Sequence, residues 1–445
     1  MDYGCQSFLL SLKRDCQSGL KHGKSAFSSD IESDITIDNV WDEDTYYIYD
    51  NITIENGVTL TIQPGTTVFF MGYYHLNVQG TIIAEGTPQE HIIFTRASFV
   101  EFMPDSYTGD YWNGIKYIKT SSANVPSHFE YCEFSGSKNI AVFEEPYSGY
   151  GGVFFVEEYS DLTIENCIFT QNLANHGGAI SCLKNSGIKL INNLANNNFA
   201  LESASFLRSD YAYPKLLANT ITDNVLLNPD VYAVSGAVHS YHSKPLMYNN
   251  IVVNNQSNCI DNHQIYLSKP YYTKNNLLEE NMVGNLTGNP DFLALPDFFF
   301  VPSEMSPCND SGTLNSEFLS LPDIDIYGNP RIYNTFPDIG CAEFNPVISI
   351  YEDENQPLIH KLVTYPNPAS RVIEFGFKEK ALFSANLTIF DLRGRVVKSI
   401  YSSGNNHTIK WDLTDKKNKP VASGIYFYKF CDSSFKTSGR VVVIK

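Results

Sequence analysis

Few residues in this chain have the types and spacing that chemistry requires. Hydrolysis of a glycosidic bond needs two carboxyl groups about 5 to 10 Å apart. The acid-rich places are Glu144-Glu145 and Glu157-Glu158, with isolated aspartates at 210, 223, 230 and 261. An elimination reaction needs an Arg or Lys base, frequently with calcium-binding acids nearby. Only sparse cations such as Arg208, Lys215 and Lys244 are available, in no recurrent motif. Asn175-His176-Gly177-Gly178 has a catalytic look, yet its paired glycines read as a turn carrying a surface histidine. The nine cysteines are scattered, with no C-x-x-C pair and no Cys/His cluster, so neither a metal centre nor a cofactor is expected. Their odd number forbids complete internal pairing, and Cys132 and Cys167, in matching apolar contexts, read as packing thiols.

Tyrosine is the more suggestive type. Tyr211 and Tyr213, Tyr241 with His242, and Tyr271 with Tyr272 recur at 28 and 30 residues, counted from Tyr213 to Tyr241 to Tyr271. On a regularly coiled chain such positions would form a line of flat rings able to stack on sugar faces at little entropic cost. Two insertions, residues 101–111 and 143–150, add Tyr107, Tyr147 and Tyr150. Loops that overhang a rigid scaffold are common binding surfaces.

What must position these residues is a repeat. Short β-branched runs end in Asn166, Asn192, Asn219, Asn249 and Asn275, at gaps of 26, 27, 30 and 26 residues. A second beat, Gly151-Gly152-Val153, Gly177-Gly178-Ala179 and Ser235-Gly236-Ala237, opens apolar strands. Period-two alternation of Val, Ile, Thr, Phe and Tyr excludes helical repeats and leaves a solenoid of short parallel strands at ~4.8 Å per turn, about ten turns long. Asparagine tolerates the left-handed corner, and its amide can bond to its equivalent one turn away, so the five asparagines are expected to stack as a ladder.

Length and charge frame the whole. A chain of 445 residues suggests more than one folding unit, and 18% charged residues with 13% aromatics exclude disorder as the main description. The net charge of -18 disfavours nucleic acid as a partner. From residue 361 onward there are 15 basic and 6 acidic residues, against 16 and 43 before it, so the sign of the charge changes with the module. The expected organisation is an N-terminal segment over 1–34, a solenoid over 35–345, a linker over 346–362 and an antiparallel β-sandwich over 363–445. No run approaches the ~20 apolar residues of a membrane span, and Ser7 to Leu12 is too short for the apolar part of a signal peptide.

Three stretches carry a resemblance: Gly57 to Thr66, Leu76 to Thr87, and Trp112-Asn113-Gly114-Ile115, followed by closing segments around Asn289-Pro290-Asp291, Ser306 to Gly312 and Asp338 to Phe344. In this order they resemble right-handed parallel β-helices of the pectate-lyase-like superfamily, which implies an all-β fold and leaves the chemistry open. Phe169-Thr170-Gln171-Asn172 before Gly177-Gly178-Ala179-Ile180 is similar to repeats of outer-membrane autotransporters, which tilts the reading toward binding. The C-terminal landmarks are Tyr365-Pro366-Asn367-Pro368, Asp391-Leu392-Arg393-Gly394, Gly424-Ile425-Tyr426 and a basic, apolar end. They resemble the sorting domain of type IX secretion cargo. That resemblance implies export by the type IX machinery of a Gram-negative bacterium, followed by attachment to outer-membrane lipopolysaccharide at the cell surface or release. The signal peptide such cargo needs is not visible, which suggests a truncated start. Export would also permit a disulfide between Cys308 and Cys341. The expected function is a non-catalytic, adhesin-like cell-surface passenger that binds a glycan or a host or neighbour surface; a polysaccharide lyase or glycoside hydrolase and a structural spacer are the alternatives.

Overall fold

The computed structural model describes residues 28–97, 111–142, 148–227, 236–257, 264–268, 272–293, 300–314, 316 and 319–345 of one compact unit, and 362–365, 371–377, 385–390, 396–402, 408–417, 419–422, 424–431 and 436–443 of a second. All regular structure among them is β. Tyr107, Tyr147, Tyr271, Pro366, Asn367, Pro368, Asp391, Arg393 and Gly394 lie outside the described residues.

The first unit is a solenoid. One turn shows how it is built: strand Leu162–Glu165 lies in sheet 1, Ile168–Thr170 in sheet 2, Leu173–His176 in sheet 3 and Ile180–Leu183 in sheet 4. Each pairs in parallel with its equivalent in the next turn, as Ile164 with Leu190 and Phe169 with Ala195. Sheets 1 to 4 hold nine, eleven, five and eight described strands. Strand Ser28–Ile31 already pairs with Thr45–Ile48, so the solenoid begins before residue 35. Alternation explains the core: in Leu162–Glu165 the apolar Leu162 and Ile164 point inward and Thr163 and Glu165 outward. Inward equivalents stack along the axis, and Phe94, Phe134 and Phe169 lie 5.1 and 5.0 Å apart, centroid to centroid. Each such fully buried ring contributes about 1.5 to 3 kcal/mol.

Many corners hold a residue with positive φ. Between sheets 1 and 2 these include Asn166, Asn192, Ala218, Asn249 and Asn275, at φ 52 to 57°. Asn219 stands one residue further on, and there a different ladder forms. Asn193, Asn219, Asn250, Asn276 and Asn285 are joined amide to amide at 2.8 to 2.9 Å. A parallel ladder, Asn172, Asn198, Asn224 and Asn255, follows the corner between sheets 2 and 3. The expected five-membered stack therefore divides into corner asparagines, chosen for conformation, and interior asparagines, chosen for hydrogen bonding. Each interior amide also satisfies backbone: Asn219 Oδ1 accepts from Asn193 N at 2.9 Å and Asn219 Nδ2 donates to Leu190 O at 2.9 Å. Cys167 heads the first ladder, its backbone N donating to Asn193 Oδ1 at 2.9 Å.

After the last turns the chain folds back along the outside of sheets 1 and 2. Gly340 N donates to Asn249 O, Cys341 N to Thr220 Oγ1 and Tyr131 Oη to Asp325 O. Outward apolar residues such as Leu194, Ile251 and Leu217 are thereby covered by Ile326, Ile339 and Leu319. Cys308 and Cys341 are both buried free thiols, in separate apolar clusters, so the bond that export would permit is not formed here.

The second unit is an antiparallel sandwich. Leu362–Tyr365, Ile373–Phe377 and Thr408–Trp411 form one sheet, and Val396–Ser402, Ala385–Phe390, Gly424–Cys431 and Lys436–Val443 the other. Trp411, Phe375, Tyr426 and Tyr428 fill the space between them, and the Tyr426 hydroxyl donates to Ala422 O at 2.9 Å.

Candidate binding site

The returning segment covers part of sheets 1 and 2, and the outer face of sheet 4 carries a group of polar and aromatic residues. Register fixes its columns. Ser181, Arg208, His239 and Tyr266 occupy one, and Leu183, Asp210 and Tyr241 the next. Arg208 Nε donates to Asp210 Oδ1 at 2.8 Å along its own strand. The His239 and Tyr266 rings lie 4.7 Å apart, centroid to centroid.

At the corner into sheet 1, Tyr211 and His242 take equivalent left-handed positions, with φ of 54 and 48°. Their rings stack at 5.0 Å, and Tyr241 meets both edge-on, 6.0 Å from Tyr211 and 4.2 Å from His242. Tyr211 and Tyr241 are 54% and 41% exposed. Three large rings kept in mutual contact yet open to water form a preorganised apolar platform.

Of the expected line, Tyr213 and Tyr241 do not fall in one column, and Tyr271 lies outside the described residues. The turn here is 31 residues long, so Tyr241 pairs with Asp210 rather than with Tyr213. Tyr213, 48% exposed, lies two residues beyond the corner. Tyr272 packs with Leu217 and Tyr248 beneath Leu319 and Leu321. Tyr150 stands at the opposite edge of the face, its ring 4.6 Å from that of His176.

His176 is the residue that sequence reading underrated. It ends a strand of sheet 3 instead of decorating a turn, and it pairs with Ser203 one turn on. Its Nδ1 lies 2.9 Å from Ser203 Oγ and its Nε2 3.4 Å from Glu202 Oε2. Glu202 also accepts from Asn175 Nδ2 at 2.5 Å, and Arg208 Nη1 donates to Ser203 Oγ at 2.8 Å. Burial holds His176 below the usual imidazole range; Arg208 acts in the same direction, and Glu202 and Asp210 oppose it. Burial likewise raises the Tyr150 hydroxyl above its ordinary value. The usable signal was the 27-residue interval from His176 to Ser203, one full turn, which a search for contiguous motifs passes over. Among the described residues no group of three or more His, Cys, Asp or Glu is arranged to hold a metal ion.

The architecture defines the class: a parallel β-helix joined to a small antiparallel sandwich. Comparison with known families finds one match in each unit. Residues 92–281 match a family described as right handed beta helix region, and residues 363–445 match the secretion system C-terminal sorting domain. The chain thus carries a right-handed β-helix and the sorting tail of type IX secretion cargo. No curated protein matches it. Among solved structures it is similar to dimeric latent PorU from Porphyromonas gingivalis, at 24% identity and a TM-score of 0.16, over 19% of this chain and 9% of that one. It is also similar to PorZ of the same organism, described as an essential surface component of the type-IX secretion system, at 22% identity and a TM-score of 0.16, over 19% and 11%. The chain spans about a tenth of either structure.

Proposed function

We propose that this exported protein presents the outer face of sheet 4 to a glycan, with the sandwich serving as its delivery module and outer-membrane lipopolysaccharide as its anchor. The observation that carries the binding reading is the exposed cluster of Tyr211, Tyr241 and His242, adjoining Arg208 and Asp210. Sugar rings present apolar C–H faces rimmed by hydroxyls. The aromatic cluster offers rigid stacking surface, and the neighbouring guanidinium and carboxylates offer directional donors and acceptors. Such a division between an apolar platform and a few convergent polar groups is how small concave or planar sites achieve orientation.

Binding of glycans to the solenoid unit tests this. Tyr211→Ala and Tyr241→Ala should each weaken affinity by about 1 to 2 kcal/mol, roughly 5- to 30-fold. Their thermal unfolding should stay close to that of the unaltered protein, because both side chains are exposed. Equal affinity in both variants would remove the reading.

A further inference from the structure

We propose that Ser203, His176 and Glu202 form a nucleophile, base and orienting acid that hydrolyse small acyl esters, such as O-acetyl groups carried by a glycan. The carrier rests on the glycan reading above; the chemistry does not.

The geometry is that of an activated hydroxyl. Ser203 Oγ lies 2.9 Å from His176 Nδ1, so its proton can pass to that nitrogen. Glu202 Oε2 lies 3.4 Å from Nε2, where its charge favours the imidazolium that forms when the ring takes the proton. The two ring nitrogens exchange the roles they take in the familiar serine hydrolases, which leaves the logic unchanged. Arg208 Nη1 donates to the same Ser203 oxygen at 2.8 Å and is itself held by Asp210, so a positive charge stands where an alkoxide would develop. The charged and titratable groups facing His176 are Tyr150 from the preceding turn, Glu202 from the next, and Arg208 and Asp210 from sheet 4. Ser203 is 7% exposed, which restricts the electrophile to a small acyl group.

In the first half-reaction Ser203 Oγ adds to the ester carbonyl carbon and its proton moves to His176 Nδ1. The carbon–oxygen bond to the alcohol then breaks, and the alcohol departs with that proton. In the second, water adds to the acyl-serine and gives a proton to Nδ1. The serine leaves as hydroxyl with that proton, and a carboxylic acid is released.

The test uses the full chain with p-nitrophenyl acetate and with a fluorophosphonate probe. Hydrolysis should be measurable, and the probe should label Ser203. Ser203→Ala and His176→Gln should each lower the rate by about 10²- to 10⁴-fold. The rate should fall on acidification with a midpoint below pH 6.5, since His176 must be neutral to act. A rate equal in the unaltered protein and Ser203→Ala, or probe attached anywhere but Ser203, would overturn the proposal. Labelling of the unaltered protein does not depend on how a variant folds. Cleavage of this small ester does not require glycan binding, so a negative result here leaves the Tyr211 and Tyr241 measurement standing, and the reverse also holds.

Discussion

Asn197 and Asn198 are chemically identical neighbours with different work. Asn197 holds a left-handed corner at φ 53°, a conformation that Gln171 and Asp223 adopt at the same place in adjacent turns. Asn198 is fully buried; it donates to Asn224 Oδ1 at 2.8 Å and to Phe169 O at 2.9 Å, and accepts from Asn172 Nδ2 at 2.9 Å. Replacing it by alanine strands several buried polar groups, each costing about 1 to 3 kcal/mol. Asn198→Ala should therefore lower unfolding free energy by about 2 to 4 kcal/mol in denaturant titrations, and Asn197→Ala by about 1 kcal/mol or less. Equal losses would contradict the division of labour. The sequence shows that asparagine recurs with the turn, but adjacent asparagines such as Asn192-Asn193 and Asn249-Asn250 hide which member faces inward. Only register resolves this, and for the same reason Asn219 was grouped with the corner residues. His176 and Ser203 were obscured in a related way, because their meeting depends on the length of a turn that insertions vary.

The returning segment over 289–345 is held by charge as well as by apolar contact. Arg331 is buried, with Nη1 2.7 Å from Glu343, and Nη2 donates to Asp338 O and Gly340 O. Asp325 and Asp338 lie in the same buried network, so three carboxyl groups surround one guanidinium. Burial pushes Glu343 up from 4.5 to about 8, while Arg331 opposes the shift. The folded state then holds a proton that the unfolded chain has lost between those two values, so this group's contribution to stability falls as pH rises from about 5 to 8. Glu343→Gln, which mimics the protonated form, should flatten that dependence in thermal melts; an unchanged slope would locate the titrating group elsewhere. Among the described residues Arg331 is the one cation of this network, and Arg331→Met should cost about 3 to 5 kcal/mol. Strands were legible where inside and outside alternate, as in Leu162–Glu165. Sheet 3 was not, because its outward Leu173 and Phe199 are covered by Tyr111 and Ile140 and the polar alternation is lost.

The molecule joins an acidic solenoid to a basic sandwich, and the charge boundary near residue 361 in the sequence falls close to the structural division at 349–350. Among the described residues the sandwich has seven strands, and the first, Leu362–Tyr365, crosses the expected linker boundary at 362 by one residue. Regular stacking gives the solenoid its repeated geometry, while the tail is the sorting module that implies secretion. Surface proteolysis of intact cells producing the full chain, compared with a chain ending at residue 361, tests this account most directly. The full chain should be cleaved by added protease and the shortened one protected until the outer membrane is broken. Equal cleavage of both on intact cells would contradict it.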